Sequence, residues 1–474
     1  MRVLLVSTYD LGRQPFGLAS PAAWLRRAGF EVATVDTSRT PANDADLSGA
    51  SLVAVHLPMH TATRLAAPLL ERVRRLNPDA HLCCYGLYAP LNADWLRERG
   101  VRTILGGEFE DALVTLARGI EQPTNGHGET AVPTLIPALI PTLIPALIPR
   151  LIPRLQFIQP DRTGLPPLNR YASVQMQDGT RRVTGMTEAS RGCKHLCRHC
   201  LVVPVYQGQF RVVPVDVVLS DIRAQVQAGA QHISFGDPDF FNGPSHAAKI
   251  IERLAHEFTG LSYDVTIKIE HLLRHADMLP LLRETGCLFV TSAVESVDDD
   301  VLLKLAKGHT RADFVRAVGL CHDAGLTISP TFVPFTPWTT IEGYLDLLHT
   351  IGDLDLVEHV APIQLAIRLL VTAKSALLDL PEIRDAVDPF DPGSLTWPWR
   401  HQDPRVDDLQ KAVIRLVGRK PQAERSEIFD AIADLAYSAA GCEYVPVPRS
   451  VGVSVPRLNE PWYCCAEPDP EMGI

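Results

Sequence analysis

Positive charge is scarce in this chain: 45 Lys and Arg residues are outnumbered by 55 Asp and Glu, for a formal net charge of −10. That removes the basic footprint expected of a protein that grips DNA or an anionic membrane surface. No leader for export is expected either. The opening apolar run, Arg2–Ser7, is too short for one and is closed by Tyr9-Asp10, so it reads as a buried first strand. Nor is any apolar run fit to cross a bilayer as a helix. Residues 133–153 are apolar enough, but proline stands at 133, 137, 141, 145, 149 and 153, and a proline every fourth residue strips a helix of its hydrogen bonds. The expectation there is a stiff, polyproline-like linker, with no membrane partner and no nucleic acid.

What is present is the makeup of a globular protein. Hydrophobic residues form 46% of the chain and charged ones 21%, enough to bury real cores, and the 474 residues allow about three domains. Without an export signal, the 10 cysteines are expected in a reducing cytoplasm, where clusters serve metals or catalysis more often than disulfides.

Residues 1–122 alternate strand and helix, with strands expected at Val3–Ser7, Glu31–Val35, Leu52–His56, His81–Tyr85 and Arg102–Leu105. A helix between the first two is expected to take Ser20 as N-cap, with Pro21 in its first turn and Gly29 past its end. Others are expected near Thr63–Leu76, Asn92–Arg99 and Glu108–Arg118. The pattern predicts a doubly wound parallel sheet with ligands at the strands' carboxyl ends. After a linker over 123–156 the alternation resumes. Strands are expected at Val183–Glu188, His232–Gly236, Ser262–Ile269, Leu288–Ala293, Leu326–Phe332 and Val360–Leu369. Six βα-type repeats over 157–384 predict a partial or complete barrel, whose active site gathers at strand ends. Residues 385–474 read as a small helical extension with a proline-rich tail.

Arg191-Gly192-Cys193-Lys194-His195-Leu196-Cys197-Arg198-His199-Cys200 directly follows the first barrel strand. Three thiolates hold three irons of a four-iron cube and leave the fourth open, whereas a closed electron-transfer cluster normally has four cysteines. The competing reading is structural zinc, with His195 or His199 as a fourth ligand. Placed after a first strand, C-x3-C-x2-C resembles the signature of the radical S-adenosylmethionine (SAM) superfamily, with His199 where that family usually carries an aromatic. The resemblance implies a [4Fe–4S] cluster on Cys193, Cys197 and Cys200. SAM chelates its open iron and is cleaved reductively to a 5′-deoxyadenosyl radical.

Further matches extend across roughly 157–375. Gly236 and Asp237, in Phe235–Pro244, correspond to the family segment near the SAM amino group; the bland reading is a turn and helix cap. Glu295, at the fourth strand's end, resembles the ribose-contacting acid, or else a helix-start charge. Lys307–Thr310 and Thr331–Thr339 also look familial, the latter as aromatics that exclude water or as plain core. Arg368, on the sixth strand, is a candidate to meet a carboxylate of SAM or substrate.

A doubly wound domain ahead of such a barrel resembles the cobalamin-binding radical SAM subgroup, which implies close approaches at Gly86 and at the Gly107-Glu108 turn. Asp10–Pro15 lacks the histidine of histidine-on cobalamin domains, and neither His56 nor His60 has that context. Either cobalamin binds without a histidine below it, or the domain is a scaffold. Near the C-terminus, Trp462–Pro468 resembles the CUAEP/CCAEP-tail radical SAM proteins, implying hydrogen-atom donation, redox or metal chemistry for Cys464 and Cys465. A disordered terminus is the alternative. Cys83, Cys84, Cys287, Cys321 and Cys442 are expected to be packing residues.

The expected protein is thus a radical SAM enzyme acting on an unknown small molecule or peptide and served by a reducing donor such as ferredoxin or flavodoxin. Cobalamin-dependent methylation at carbon is one outcome; non-methylating chemistry through the tail cysteines is another. A zinc-stabilised binding protein is the reading from a different class.

Overall fold

A computed structural model describes residues 1–122, 155–419, 423–446 and 455–460. The expected linker, apart from its last two residues, and the tail cysteines Cys464 and Cys465 lie outside the described residues. Among those described, no helix is long and apolar enough to cross a membrane. The described residues divide into two compact units: Met1–Tyr171 with Pro392–Leu395, and Ala172–Asp391 with those from Thr396 to Glu460.

The first unit is built on β1 (Arg2–Ser7), β2 (Glu31–Asp36), β3 (Leu52–His56), β4 (His81–Tyr85) and β5 (Thr103–Leu105). They form one parallel sheet of order β2-β1-β3-β4-β5. The order reverses between β1 and β3, and ligands settle at such a switch point. β1, β3 and β4 are almost wholly buried, as near-continuous apolar runs require when helices cover both sheet faces. The helices are α1 (Phe16–Arg27), α2 (Asp44–Ser48), α3 (His60–Leu76), α4 (Ala93–Glu98) and α5 (Glu110–Glu121). Leu18, Ala22 and Leu25 of α1 and Leu113, Leu116 and Ala117 of α5 join Val3, Leu5, Leu52 and Ala54 in one core.

Helix α1 corrects an expectation. It begins at Phe16 rather than beside Ser20, so Pro21 stands inside it. A proline there leaves the carbonyl four residues back without its helical donor, and the Gly17 carbonyl accepts instead from the Tyr85 hydroxyl at 2.8 Å. Ser20, freed from capping, donates to the buried Glu110 carboxylate at 2.6 Å.

A second correction concerns the lead-in Phe157–Tyr171, expected with the barrel but belonging to the first unit. Gln14 donates to the Pro166 carbonyl at 2.9 Å, and Arg26 pairs with Asp161 at 2.8 Å. Polar sequence and turn residues gave no sign of which neighbour this irregular segment would serve.

The second unit centres on a seven-stranded sheet. Five strands are parallel: β7 (Arg181–Thr187), β10 (His232–Phe235), β11 (Ser262–Thr266), β12 (Cys287–Glu295) and β13 (Thr327–Phe332). Antiparallel β6 (Ser173–Gln175) and β14 (Arg457–Leu458) extend the β7 edge. A short ribbon, β8 (Ser190–Gly192) with β9 (Phe210–Val212), frames the cysteine loop, and α6 (Val203–Tyr206) lies within that loop. The crossover helices are α7 (Val215–Gln227), α8 (Pro244–Glu257), α9 (Ile269–Arg274), α10 (Leu279–Glu284), α11 (Asp299–Lys304), α12 (Arg311–Asp323) and α13 (Ile341–Asp353). Residues 299–324, whose pattern suits a single helix, form two, broken where Ala306 and Gly308 take positive φ. The curled sheet is the expected partial barrel.

Its sixth strand is reduced to one parallel bridge, Phe335 to Arg368. Pro362, which has no N–H to donate to a ladder, opens a short 3-10 turn where that strand was expected to start. Beyond it come α14 (Pro381–Ala386), α15 (Pro404–Arg419) and α16 (Arg425–Ala439). Cys83, Cys84, Cys287 and Cys321 are buried as expected, whereas Cys442 is exposed.

Candidate functional site

The carboxyl ends of β7, β10, β11 and β12, with the turn after α11, carry a dense set of buried ionisable side chains. Asp237, Asp239, Lys268, His271, Glu295, Lys307 and His309 are all at most 7% exposed. Apolar burial drives such a sheet together, and ionisable groups at its rim oppose that drive. Their presence makes the rim the candidate functional site.

The cysteine loop leaves β7 and is pinned from several sides. Asn242, after β10, accepts from the Lys194 amide at 3.3 Å and from the Cys193 thiol at 3.8 Å, and donates to the Gly192 carbonyl at 3.3 Å. Arg198 donates to the carbonyls of Leu303 and Lys304 at the end of α11, at 3.3 and 2.7 Å. Gly192 takes φ +76°, and a Cβ there would lie 2.5 Å from the Gln209 carbonyl oxygen, so the loop's entry needs glycine. Cys193 and Cys197 are buried and Cys200 is half-buried; none of the three forms a disulfide. Burial pushes the Cys193 thiol up, and the Lys268 charge opposes that. The Lys268 ammonium, itself 7% exposed, lies 3.7 Å from Cys197 Sγ.

Glu295 closes β12 after a register shift opposite β13, a bulge of the kind that re-aims a side chain. Its φ of +72° is rare for a residue with a side chain. Oε1 receives His199 Nε2 at 3.1 Å and Lys307 Nζ at 3.2 Å. Burial raises the carboxyl's pKa, but the Lys307 and His199 charges and their hydrogen bonds outweigh it and hold it at about 2. Oε2 is buried with no hydrogen bond, an acceptor with capacity left over.

The other residues singled out by the sequence fall differently. Both oxygens of Asp237 serve the loop's base: Oδ1 accepts from Ser190 Oγ at 2.5 Å and Oδ2 from the Ala189 amide at 2.9 Å. Burial pushes its pKa up to about 7 against those bonds. Gly236, beside it, meets the Met186 methyl, which a Cβ would approach to 2.3 Å. Arg368 is turned to structural partners: Asp407 at 2.7 Å, the Trp399 carbonyl at 2.6 Å and the Trp399 ring at 3.5 Å. Phe332 and Phe335 are core, edge-on to Phe314 and stacked on Tyr344 respectively.

In the first unit, Gly86 has φ +109°, and a Cβ would lie 2.8 Å from the Leu57 carbonyl oxygen, so the close approach there is to the chain itself. Gly107 and Glu108 form the half-buried bend between β5 and α5. His56 is buried against Tyr85 and Phe109, and His60 contacts the Ser394 carbonyl at 2.6 Å.

Sequence reasoning did not single out Lys268, His271, Asp239 or Asn242. The available signal was a lysine in an otherwise apolar strand exit, Val265-Thr266-Ile267-Lys268-Ile269. Placement in such a run implies burial, and a buried ammonium requires a partner.

Comparison with known proteins places this geometry. Over 133 residues the chain is 28% identical to a bacteriochlorophyllide d C-12(1)-methyltransferase of Chlorobaculum tepidum, 27% of this chain and 28% of that one. The chain therefore matches less than a third of that relative's length. The fold resembles the radical SAM methyltransferase TsrM from Kitasatospora setae, solved with tryptophan and a SAM analogue. The TM-score is 0.58 at 17% identity, over 75% of this chain and 71% of that one. It also resembles the cobalamin-dependent radical SAM enzyme OxsB, with TM-score 0.62 at 13% identity, over 88% and 67% of the two chains. Residues 187–349, from the end of β7 through most of α13, match the radical SAM superfamily, so the chain carries a domain of that type over this stretch.

Proposed function

We propose that the chain is an enzyme in which Cys193, Cys197 and Cys200 hold a [4Fe–4S] cluster and S-adenosylmethionine is cleaved reductively beside it. The observation that carries this reading is the pairing of three cysteines on one strand-end loop, none of them in a disulfide, with a buried carboxylate oxygen, Glu295 Oε2, that lacks a hydrogen bond. The donor set fits such a cluster: three sulfurs, with the Lys268 cation beside one of them to offset thiolate charge. When bound, the cluster supplies the electron that breaks the sulfonium carbon–sulfur bond.

The protein's own groups bind and orient. Glu295, kept ionised by Lys307 and His199, offers Oε2 to hydroxyl donors such as those of a ribose. His199 holds that carboxylate from within the cysteine loop, tying the nucleoside end of the site to the metal end. Asp237 and Asn242 fix the loop's base. Zinc at the three cysteines is disfavoured, because the loop's two histidines face elsewhere: His199 Nε2 toward Glu295, and His195 Nε2 toward His271 and Asp239.

Cobalamin-dependent methylation at carbon is the preferred outcome. It rests on the 2-1-3-4-5 parallel sheet of the first unit and its likeness to OxsB and TsrM. Asp10–Pro15 has no histidine and His56 is packed against Tyr85 and Phe109, so neither would supply an imidazole to a bound corrinoid. Bound cobalamin supplies a methyl carrier. The substrate, a small molecule or peptide, and the electron donor, a ferredoxin or flavodoxin, complete the proposal. Cys464 and Cys465 lie outside the described residues and receive no role in it.

The test is anaerobic reconstitution followed by reductant and SAM. Expected are about four irons per chain, 5′-deoxyadenosine as product, and loss of that product in Cys200→Ala. Zinc in place of iron, or SAM left intact under strong reduction, would reject the reading. Corrinoid absorbance retained through gel filtration separates the methylating from the non-methylating version.

A further inference from the structure

A second cluster of ligand-type side chains lies beside the cysteine loop, and the proposed function makes no use of it. It consists of His195 in the loop itself, Asp239 after β10 and His271 in α9. One ligand atom from each lies within 4.8 Å of the other two. Asp239 and His271 are fully buried, and the His195 side chain is 13% exposed.

One contact within this trio is a hydrogen bond, His195 Nε2 with His271 Nε2 at 3.2 Å; the contact at Asp239 is not. Asp239 Oδ2 and His271 Nδ1 stand 2.7 Å apart, yet neither atom has a hydrogen bond of acceptable geometry. His195 Nε2 faces two groups at once, His271 Nε2 at 3.2 Å and Asp239 Oδ2 at 3.6 Å. One N–H cannot point at both. The second oxygen of Asp239 is already spent, accepting from the Phe241 amide at 3.1 Å. Leaving a carboxylate oxygen fully buried without a donor costs several kcal/mol, and nothing in the hydrogen-bond network offsets that cost.

A shared cation does. Around a zinc-type ion with bonds of about 2.0–2.2 Å, ligand atoms sit roughly 3 to 3.5 Å from one another; one ligand atom from each residue already lies within 4.8 Å of the other two, so a modest side-chain adjustment brings all three onto one ion. The far side of His195 also fits: Nδ1 lies 3.6 Å from Glu270 Oε2, and a carboxylate behind a ligating imidazole is the usual outer partner that orients it. Two imidazoles and one carboxylate are borderline donors. They select a divalent transition ion over calcium or magnesium, which prefer all-oxygen sites.

We infer that His195, Asp239 and His271 form a binding site for one divalent transition ion of zinc's type, separate from the three cysteines. Its ligands come from the cysteine loop, the loop after β10 and the helix after β11. The ion therefore ties the loop to two neighbouring strand ends and fixes its path where Cys193 and Cys197 flank His195. No ligand is shared with the proposed cluster, so this inference and the proposed function can fail separately.

Cobalt(II) is the probe, because its visible spectrum reports ligand type. The full-length Cys193→Ser/Cys197→Ser/Cys200→Ser chain has no loop thiolates to offer. Titrated anaerobically, it is expected to bind about one equivalent of Co²⁺, with visible d–d bands and no near-ultraviolet sulfur-to-cobalt charge-transfer band. Adding His271→Gln or Asp239→Asn is expected to abolish that equivalent while circular dichroism shows the fold retained. No Co²⁺ bound by the triple variant, or uptake unchanged by His271→Gln, overturns the site. A second readout avoids the triple variant. The parent, reconstituted with iron and then given Zn²⁺, should carry about one zinc beside its iron, and the His271→Gln chain none. Iron with no further divalent ion in the parent also overturns it. Failure of the proposed function shows elsewhere, as absent iron or uncleaved SAM in the parent.

Discussion

At the scale of single residues, the rim is governed by which polar atoms are already spent. Lys268 is the clearest case. A unit charge 3.7 Å from Cys197 Sγ interacts by a few kcal/mol at an effective dielectric of about 20, and it favours the more negative, reduced state of a bound cluster. Lys268→Met is therefore expected to move the midpoint more negative, on the order of 100 mV, in a redox titration followed by electron paramagnetic resonance. An unchanged midpoint would remove Lys268 from the redox argument. Asp237 yields a pH prediction. Burial raises its folded pKa from 3.8 to about 7, so between those values the native state holds the proton more tightly than the unfolded chain. Stability from this group is thus present below about pH 4 and lost as pH rises toward 7, by on the order of 2–4 kcal/mol. Asp237→Asn should flatten that slope, leaving a melting temperature that gains on the parent's as pH rises. The three cysteines and Glu295 could be picked out as candidates because their residue types and strand-end positions recur as a pattern. Asp237 and Arg368 misled because a sequence does not show whether Ser190 or Asp407 already occupies their polar atoms.

At the scale of elements, strands were easier to read than helix starts. β1, β3 and β4 are apolar runs bounded by turn residues, and their ends were read to within a residue. Helix α1 was misplaced because Ser20-Pro21 carries a strong N-terminal signal, while the true start at Phe16 has no side-chain cap; packing of Phe16 and Leu18 decided it. Gly17→Ala tests that packing. Helix propensity favours alanine by up to about 1 kcal/mol, but the new Cβ would stand 2.1 Å from the His56 ring. A net loss of roughly 1–3 kcal/mol is expected, read as a lower denaturant midpoint; a gain would mean that His56 is free to move. Helix α12 opens with a reciprocal cap, Thr310 with Asp313, so Thr310→Ala should cost about 1 kcal/mol. The sixth barrel strand was overread: Val360–Leu369 is apolar enough for a strand, but Pro362 starts a 3-10 turn there.

At the scale of the whole molecule, the α/β character of both halves was plain in the alternation of strand and helix. The boundary between units was not, because Phe157–Tyr171 has no periodicity and joins the first unit through contacts such as Gln14 with Pro166 and Arg26 with Asp161. The proposed cofactors fall on separate units, the corrinoid on the first and the cluster on the second. The Cys193→Ala/Cys197→Ala/Cys200→Ala chain should accordingly bind no iron yet take up hydroxocobalamin as the parent does, measured by absorbance after gel filtration. Joint loss of both would contradict that division.

The crowd of charge-bearing groups at the ends of β7, β10, β11 and β12 has one further consequence. Aliphatic and aromatic side chains hold the sheets together whether or not anything is bound, whereas the rim depends on its occupants for counter-charge and donors. Amide hydrogens there should exchange quickly in the freshly made polypeptide and slowly once it is loaded, while those of β1 and β3 change little. Maturation of this protein is, on that view, a local setting of one rim on a scaffold already formed.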